Sequence, residues 1–166
     1  MIYNINTYIN GKQYMNNNTI TQNNNIRNEL LKWLQCVPFN FAFTFNFNRP
    51  TSFAAAKKDL EAWQRNVDRK VLGRNWKTAP TEQRLFCIGF PEHPSSNLHY
   101  HALISAPENP LKVQRVATKM WKFVVPSGDL WVSPLEAESD IRRVAGYATK
   151  ELWNGVGIEN LYISDE

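Results

Sequence analysis

The sequence predicts an α+β fold in which long helices pack against an antiparallel β-sheet. The segment from Phe39 to Phe47 alternates phenylalanine with small or polar residues, which is the two-residue period of a strand with one buried face. Segments with apolar residues at helical spacing separate this strand from the later apolar runs. The chain has 166 residues, of which 43% are hydrophobic, so we expect one domain with a sizeable core.

The elements before the phenylalanine strand differ in composition from the rest. Residues 1–25 are rich in asparagine and poor in core-forming side chains, which predicts a solvated extension with at most a short strand or hairpin around Tyr3 to Ile9. The globular domain is expected to span residues 26–166. Its first helix is predicted from Ile26 to Cys36, since apolar residues there recur at helical spacing and Pro38 follows.

The elements after the phenylalanine strand follow from caps, periodicity and apolar runs. Thr51 or Ser52 can cap the next helix, and Asn109 with Pro110 begins a later one. The predicted order is a helix over 53–71, a strand over 84–90 buried on both faces, a strand over 98–105, a helix over 110–123, a short strand over 130–132 and a helix over 139–153.

Charge, cysteine content and the absence of long apolar runs indicate the kind of partner and the location to expect. The net charge of +4 permits a phosphate-rich partner. Cys36 and Cys87 match no zinc-ligand spacing, and we expect both to be reduced, with Cys87 buried. The sequence shows neither a secretory signal nor an apolar run near the roughly 20 residues that span a membrane. We therefore expect a soluble protein in the cytoplasm, or in the nucleus of a eukaryotic host.

Two histidines on one strand form the first candidate site. His99 and His101 are separated by one residue, so alternation places both imidazoles on the same face and Tyr100 on the other. Imidazole is a common ligand of divalent metals, and an added carboxylate favours Mg²⁺ or Mn²⁺. Glu92 is placed to supply that oxygen, and His93 is the competing third ligand.

A tyrosine on the last predicted helix forms the second candidate site. Tyr147 and Lys150 are three residues apart and share a face, and Arg143 lies one turn earlier on the same side. A tyrosine flanked by two cations is unusual for a residue that only packs. The alternative is an amphipathic core tyrosine beside a solvated lysine.

These segments resemble, in order, the three motifs of the HUH endonuclease superfamily, specifically the rolling-circle replication initiators with one catalytic tyrosine. The first motif strand resembles Phe41 to Asn46, the His-hydrophobe-His motif resembles Leu98 to Ile104, and the Tyr-x-x-Lys motif resembles Tyr147 to Lys150. The resemblance implies a five-stranded antiparallel sheet with flanking helices, related to the ferredoxin-like or RRM-like fold, with the histidines on its central strand. By the same pattern an upstream acidic residue, here Glu92, completes the metal site.

The resemblance also implies an activity. A divalent ion, Mg²⁺ or Mn²⁺, held by Glu92, His99 and His101 would bind the scissile phosphate of single-stranded DNA at a replication origin or hairpin. Tyr147 would attack in line to form a 5′-phosphotyrosine that can rejoin strands, with Lys150 and Arg143 favouring the phenolate. Longer relatives carry a helicase, and no GxxxxGK[ST] phosphate loop occurs here, so we expect either a separate helicase as a partner or a nuclease domain cut out of a longer protein.

DNA contacts are expected from Arg143 and from two further places. In the family, sequence is read near the first motif strand, which makes candidates of Thr44, Asn46, Asn48 and Arg49. A basic stripe on the helix over 110–123 is a candidate for phosphate contacts or, equally, a solvated outer face; it comprises Lys112, Arg115, Lys119 and Lys122.

Three other functions stay open at this point. A single-tyrosine transposase shares the metal site but usually has a glutamine where this chain has Lys150. A non-catalytic single-stranded nucleic-acid-binding domain would present aromatic residues on the exposed sheet face, whereas the phenylalanines all share the buried face. A metal phosphoesterase would use the histidines alone.

Overall fold

Five strands and four helices make up the described part of the chain. The computed structural model describes residues 19–150 and 157–164, with backbone alone for residues 19–26. The strands are β1 (Phe41–Asn46), β2 (Phe86–Glu92), β3 (His99–Ser105), β4 (Asp129–Pro134) and β5 (Tyr162–Ile163). The helices are α1 (Thr19–Cys36), α2 (Phe53–Leu72), α3 (Pro110–Val124) and α4 (Glu138–Ala148), with 3₁₀ turns at Gly73–Asn75, Thr81–Gln83 and Ile158–Asn160.

The strands form one sheet in the order β4-β1-β3-β2-β5, and each neighbouring pair is antiparallel. The predicted α+β class and the five-stranded antiparallel sheet are therefore confirmed. The strand with both histidines, β3, is the central one. A central strand has paired backbone on both sides, so side chains on it are held more firmly than on an edge.

One face of the sheet carries the phenylalanine row and packs against α2 and α3. Phe45 lies between two tryptophans, with ring centroids 4.8 Å from Trp63 and 4.9 Å from Trp121. The Trp63 indole N–H donates to the Ala117 carbonyl at 3.0 Å, which ties α2 to α3. Both helices are capped as predicted, because the Ser52 hydroxyl and the Asn109 side chain accept backbone N–H groups.

The opposite face packs against α1 and α4. Its core includes Ile88, Phe90 and Leu103 from the sheet, with Leu34 from α1 and Ala145 from α4. Because β-strand side chains alternate, these residues share their face with His99 and His101. The two helices therefore pack on the same side of the sheet as the histidine pair.

Two helix boundaries and one short strand are the main differences from the sequence predictions. Helix α1 begins at Thr19, so the expected boundary after residue 25 falls inside a helix. Asparagine weakens a helix by well under 1 kcal/mol per residue, and extending an existing helix is far easier than starting one. Helix α4 ends at Ala148, where the Thr149 hydroxyl and backbone N–H both donate to the Ala145 carbonyl, at 2.8 Å and 3.1 Å. The two-residue strand β5 was not predicted, because no apolar run announces it.

Two further predictions are limited by the extent of the described chain. The expected strand or hairpin around Tyr3 to Ile9 lies outside the described residues, as do residues 151–153 of the last predicted helix. Among the helices that are described, none combines the length and the apolar composition needed to cross a membrane.

Candidate metal centre

Two adjacent strands bring the candidate metal ligands together. In the β2–β3 pairing, Glu92 lies opposite His99 and Phe90 lies opposite His101. Directly opposed residues of antiparallel neighbours share a face, so Glu92 stands beside the two imidazoles. Tyr100 points into the other core, as predicted, and its hydroxyl donates to the Asn160 carbonyl at 2.9 Å.

The donor atoms converge on one oxygen. Glu92 Oε2 lies 3.0 Å from His99 Nε2 and 2.7 Å from His101 Nε2, and a ligand atom from each of the three residues lies within 4.8 Å of the others. Ligands about 2.1 Å from a six-coordinate ion lie roughly 3 Å apart when adjacent, so this spacing suits one ion. Glu92, His99 and His101 therefore form a group that could hold a single metal ion.

Each histidine is oriented by a partner on its other ring nitrogen. His99 Nδ1 lies 3.0 Å from the Asn97 carbonyl, which only accepts, so this nitrogen carries the proton. In the neutral ring His99 Nε2 then turns a lone pair toward the Glu92 carboxylate, an arrangement that a cation between them stabilises. His101 Nδ1 lies 3.0 Å from the Thr44 hydroxyl, which can donate or accept and holds the second ring in place.

The electrostatics favour the protonation states that a metal requires. Burial acts to raise the pKa of Glu92, but the close approach of the His101 and His99 rings outweighs it, and the pKa is lowered. Burial lowers the pKa of His101 and exceeds the opposing effect of its hydrogen bond with Glu92. An ionised carboxylate and a neutral imidazole are the ligand forms that bind divalent ions.

Between the two candidates for third ligand, Glu92 is the one that joins the histidine pair. It is buried at the end of β2, whereas the His93 side chain is largely exposed. His93 begins a turn with a left-handed backbone (φ 53°), and its Nε2 lies 3.9 Å from Glu92 Oε1. The strand thus ends with Glu92 on the histidine face, and the turn carries His93 out of the donor group.

The candidate nucleophile lies against this group. The ring centroids of Tyr147 and His101 are 5.1 Å apart in an edge-on arrangement, and Tyr147 is 55% exposed. The buried side of α4 is formed by Ile141, Ala145 and Ala148. Two residues 46 positions apart in the sequence, Tyr147 and His101, are brought into contact in this way.

Lys150 was predicted to share a helix with Tyr147, but it lies beyond the end of that helix. It is exposed and lies in the turn after α4, where its backbone N–H donates to the Tyr147 carbonyl at 3.0 Å. Arg143 is on α4, but its guanidinium pairs with Asp140 at 3.0 Å. The roles predicted for these two cations in activating the tyrosine stay predictions.

The residues expected to contact DNA near the first motif have intramolecular partners. Thr44 binds His101, Arg49 pairs with Asp59 at 2.6 Å, and Asn48 donates to Asp129 at 2.7 Å. Asn46 lies opposite His99 in the sheet register, on the histidine face. DNA contact by this group stays a prediction, although Thr44 has a clear structural role at the metal centre.

The basic stripe lies on the other layer of the protein. Helix α3 packs on the phenylalanine face, away from the histidines. Lys112 donates to the Val71 carbonyl at 3.0 Å, and Lys122 pairs with Asp129 at 2.8 Å. Phosphate contact by Lys112, Arg115 and Lys119 stays a prediction, and their layer separates them from the metal centre.

One aromatic side chain on the histidine face was not singled out from the sequence. Trp131 on β4 is 71% exposed and lies opposite Thr44. The sequence has a continuous apolar run at this point, Leu130 to Val132, which hides the alternation of inward and outward side chains on β4. The polar residues two positions away on either side, Asp129 and Ser133, are the signal that would have placed Trp131 on the outward row.

Comparison with models of protein families, with curated proteins and with solved structures returned no match. The class of protein is therefore defined by its own fold and site. It is an α+β protein with a five-stranded antiparallel sheet, whose central strand contributes two histidines to a group able to hold a metal ion.

Proposed function

We propose that this protein is a metal-dependent endonuclease that cuts single-stranded DNA and becomes covalently linked to it through Tyr147. The observation that carries the proposal is the contact between Tyr147 and His101, which places a phenol beside a three-donor metal group. The order of motifs, which resembles that of the HUH replication initiators, supports the same function.

The residues divide the chemistry between them. Glu92, His99 and His101 would hold a divalent ion, Mg²⁺ or Mn²⁺, which when bound polarises the scissile phosphate and offsets the charge that develops there. Thr44 and the Asn97 carbonyl keep the two imidazoles turned toward Glu92. Tyr147 is open to solvent on one side, so a strand can reach its hydroxyl without rearrangement of the core.

The covalent step is a transesterification. The Tyr147 oxygen forms a bond to phosphorus while the bond from phosphorus to the 3′ oxygen of the upstream nucleotide breaks. The phenolic proton leaves and the released 3′ oxygen gains one, so no oxidant, reductant or nucleotide cofactor is consumed. The downstream strand remains attached as a 5′-phosphotyrosine, and attack by a 3′-hydroxyl reverses the reaction.

A labelled adduct tests the proposal. Because the recognised sequence is unknown, the substrate is a pool of single-stranded oligonucleotides with a randomised centre, labelled at the 3′ end in one sample and at the 5′ end in another. After incubation with Mn²⁺, we expect the 3′ label to migrate with the protein on a denaturing gel. The 5′ label is expected on a shortened free strand, and chelator is expected to abolish both products.

Two variants separate chemistry from binding. Tyr147→Phe removes only the nucleophilic oxygen, so it is expected to lose the adduct and keep its affinity for the strand. Glu92→Gln is expected to lose Mn²⁺ binding and the adduct together. An undiminished adduct from Tyr147→Phe would refute the role of that residue, and strand binding without an adduct from any pool would favour a non-catalytic binding domain.

A further inference from the structure

Trp131 is an exposed indole in an unusual place. It lies on β4, the strand at one edge of the sheet, and 71% of its surface is accessible. Its outward neighbours on the same strand, Asp129 and Ser133, are polar. A large aromatic side chain on a polar strand surface contributes nothing to the core, and such residues are enriched where proteins meet their partners.

The sheet register aligns Trp131 with the metal centre. Trp131 is opposite Thr44, and Thr44 is opposite His101, so the three side chains form one row on the same face. Two strand spacings of about 4.8 Å separate the Cα atoms of Trp131 and His101 by roughly 10 Å. That distance spans about three nucleotides at the 3.4 Å spacing of a B-form strand and fewer in an extended one.

We propose that Trp131 stacks on a base of the single DNA strand whose phosphate lies at the Glu92, His99 and His101 group. This inference rests on the proposed substrate class and adds the residue that holds the strand on the β4 side of the site. An indole accepts any base on its π-face, so the contact anchors the strand without reading its sequence.

The charges beside Trp131 are compatible with an anionic strand. Asp129, the nearest outward carboxylate on β4, pairs with Lys122 at 2.8 Å and accepts from Asn48 at 2.7 Å. Its charge is therefore compensated before a phosphate approaches. The same ion pair brings Lys122 from α3 to the β4 edge of the sheet, where the bound DNA strand would leave the site.

The chain supplies a matched control. Phe123 on α3 is also 71% exposed, but its helix packs on the phenylalanine face, away from the histidines. If exposure of an aromatic ring alone caused DNA binding, Phe123 and Trp131 would contribute alike. Under the proposal only Trp131 contributes, because only its strand faces the metal centre.

Fluorescence anisotropy with two probes tests the contact. One probe is a 20-nucleotide oligothymidylate, and the other has the same phosphate backbone with every base replaced by an abasic residue. With Mn²⁺ present, Trp131→Ala is expected to raise the Kd for oligothymidylate roughly 5- to 150-fold, the range that stacking on one base spans. Trp131→Phe should retain most of the affinity, and Phe123→Ala should stay within twofold of the wild type.

The abasic probe decides what Trp131 touches. Wild type and Trp131→Ala are expected to bind it equally, because it has no base to stack. An equal loss on both probes, unchanged affinity of Trp131→Ala for oligothymidylate, or no binding of oligothymidylate by the wild type would each overturn the inference. So would a change in sedimentation of Trp131→Ala, which would assign the ring to self-association along β4.

The outcome is independent of the cleavage assay. Stacking through Trp131 without a covalent adduct would refute the endonuclease and leave the inference standing. A covalent adduct from a protein whose Trp131→Ala variant binds normally would refute the inference alone.

Discussion

Replacing Thr44 with valine removes one hydrogen bond from the metal centre and little else. The Thr44 hydroxyl lies 3.0 Å from His101 Nδ1, on the side of the ring away from Glu92. Valine has nearly the same shape and is at home in β-strands, so β1 should keep its pairing and its phenylalanine face. The variant therefore tests whether this hydroxyl orients His101 for metal binding.

The expected loss of metal affinity depends on how many contacts still hold the His101 ring in place. A hydrogen bond of this kind contributes about 1 kcal/mol net, and losing a partner that orients a metal-bound histidine lowers metal affinity roughly 10- to 100-fold. Because Tyr147 still packs against the edge of His101 in the variant, the ring keeps part of its restriction. We expect about a tenfold weaker affinity for Mn²⁺, which corresponds to about 1.4 kcal/mol.

Calorimetric titration with Mn²⁺ measures this loss directly. Thr44→Ser retains the hydroxyl and is expected to bind as the wild type does. Thr118→Val makes the same change at an exposed position of α3 and serves as the control for valine itself. The reasoning is wrong if Thr44→Val binds Mn²⁺ within twofold of the wild type, or if Thr44→Ser loses as much as Thr44→Val.

Two predictions concern stability. Burial raises the pKa of Asp68 from 3.8 to about 6 although it accepts the Leu85 N–H, so the native state binds its proton more tightly and stability falls as pH rises through that window. In urea unfolding at pH 7.5, the free energy of unfolding of Asp68→Asn should exceed that of the wild type by up to about 3 kcal/mol. Near pH 4 the two proteins should be equally stable, and equal stability at both pH values would contradict the prediction. A Cβ at Gly128 would lie 2.5 Å from the Asn46 carbonyl oxygen and 2.7 Å from Trp121 Nε1. Gly128→Ala should therefore cost about 1–3 kcal/mol in urea unfolding, and an unchanged midpoint would show that the turn yields freely.

The metal centre was predictable because it depends on strand periodicity. His99 and His101 share a face by alternation alone, and Glu92 precedes them by the length of a short turn. The contact of Tyr147 with His101 was suggested only by the order of motifs, since no local rule says where a helix packs on a sheet. The partners of Arg49 and Arg143 were not predictable either, because a long charged side chain takes whichever carboxylate the fold brings within reach.

The outward direction of Trp131 could not be predicted from the sequence. Its strand was predicted, but three consecutive apolar residues, Leu130 to Val132, leave the inward face undecided until a neighbouring strand sets the register. Pairing with β1 places Leu130 and Val132 against the phenylalanine core and turns Trp131 outward beside Thr44. The argument against an aromatic residue on the exposed sheet face, which considered only the phenylalanines, therefore does not hold for the whole sheet.

The sequence by itself determined the class of fold, the buried phenylalanine face, the caps Ser52 and Asn109, and the pairing of His99 with His101 on one surface. Each of these depends on interactions within a few residues, where backbone geometry sets the period. Only the tertiary structure decided for Glu92 over His93, placed Tyr147 against His101 and exposed Trp131 on the same row. Those outcomes depend on strand register and helix docking, which pairing and packing between distant segments select.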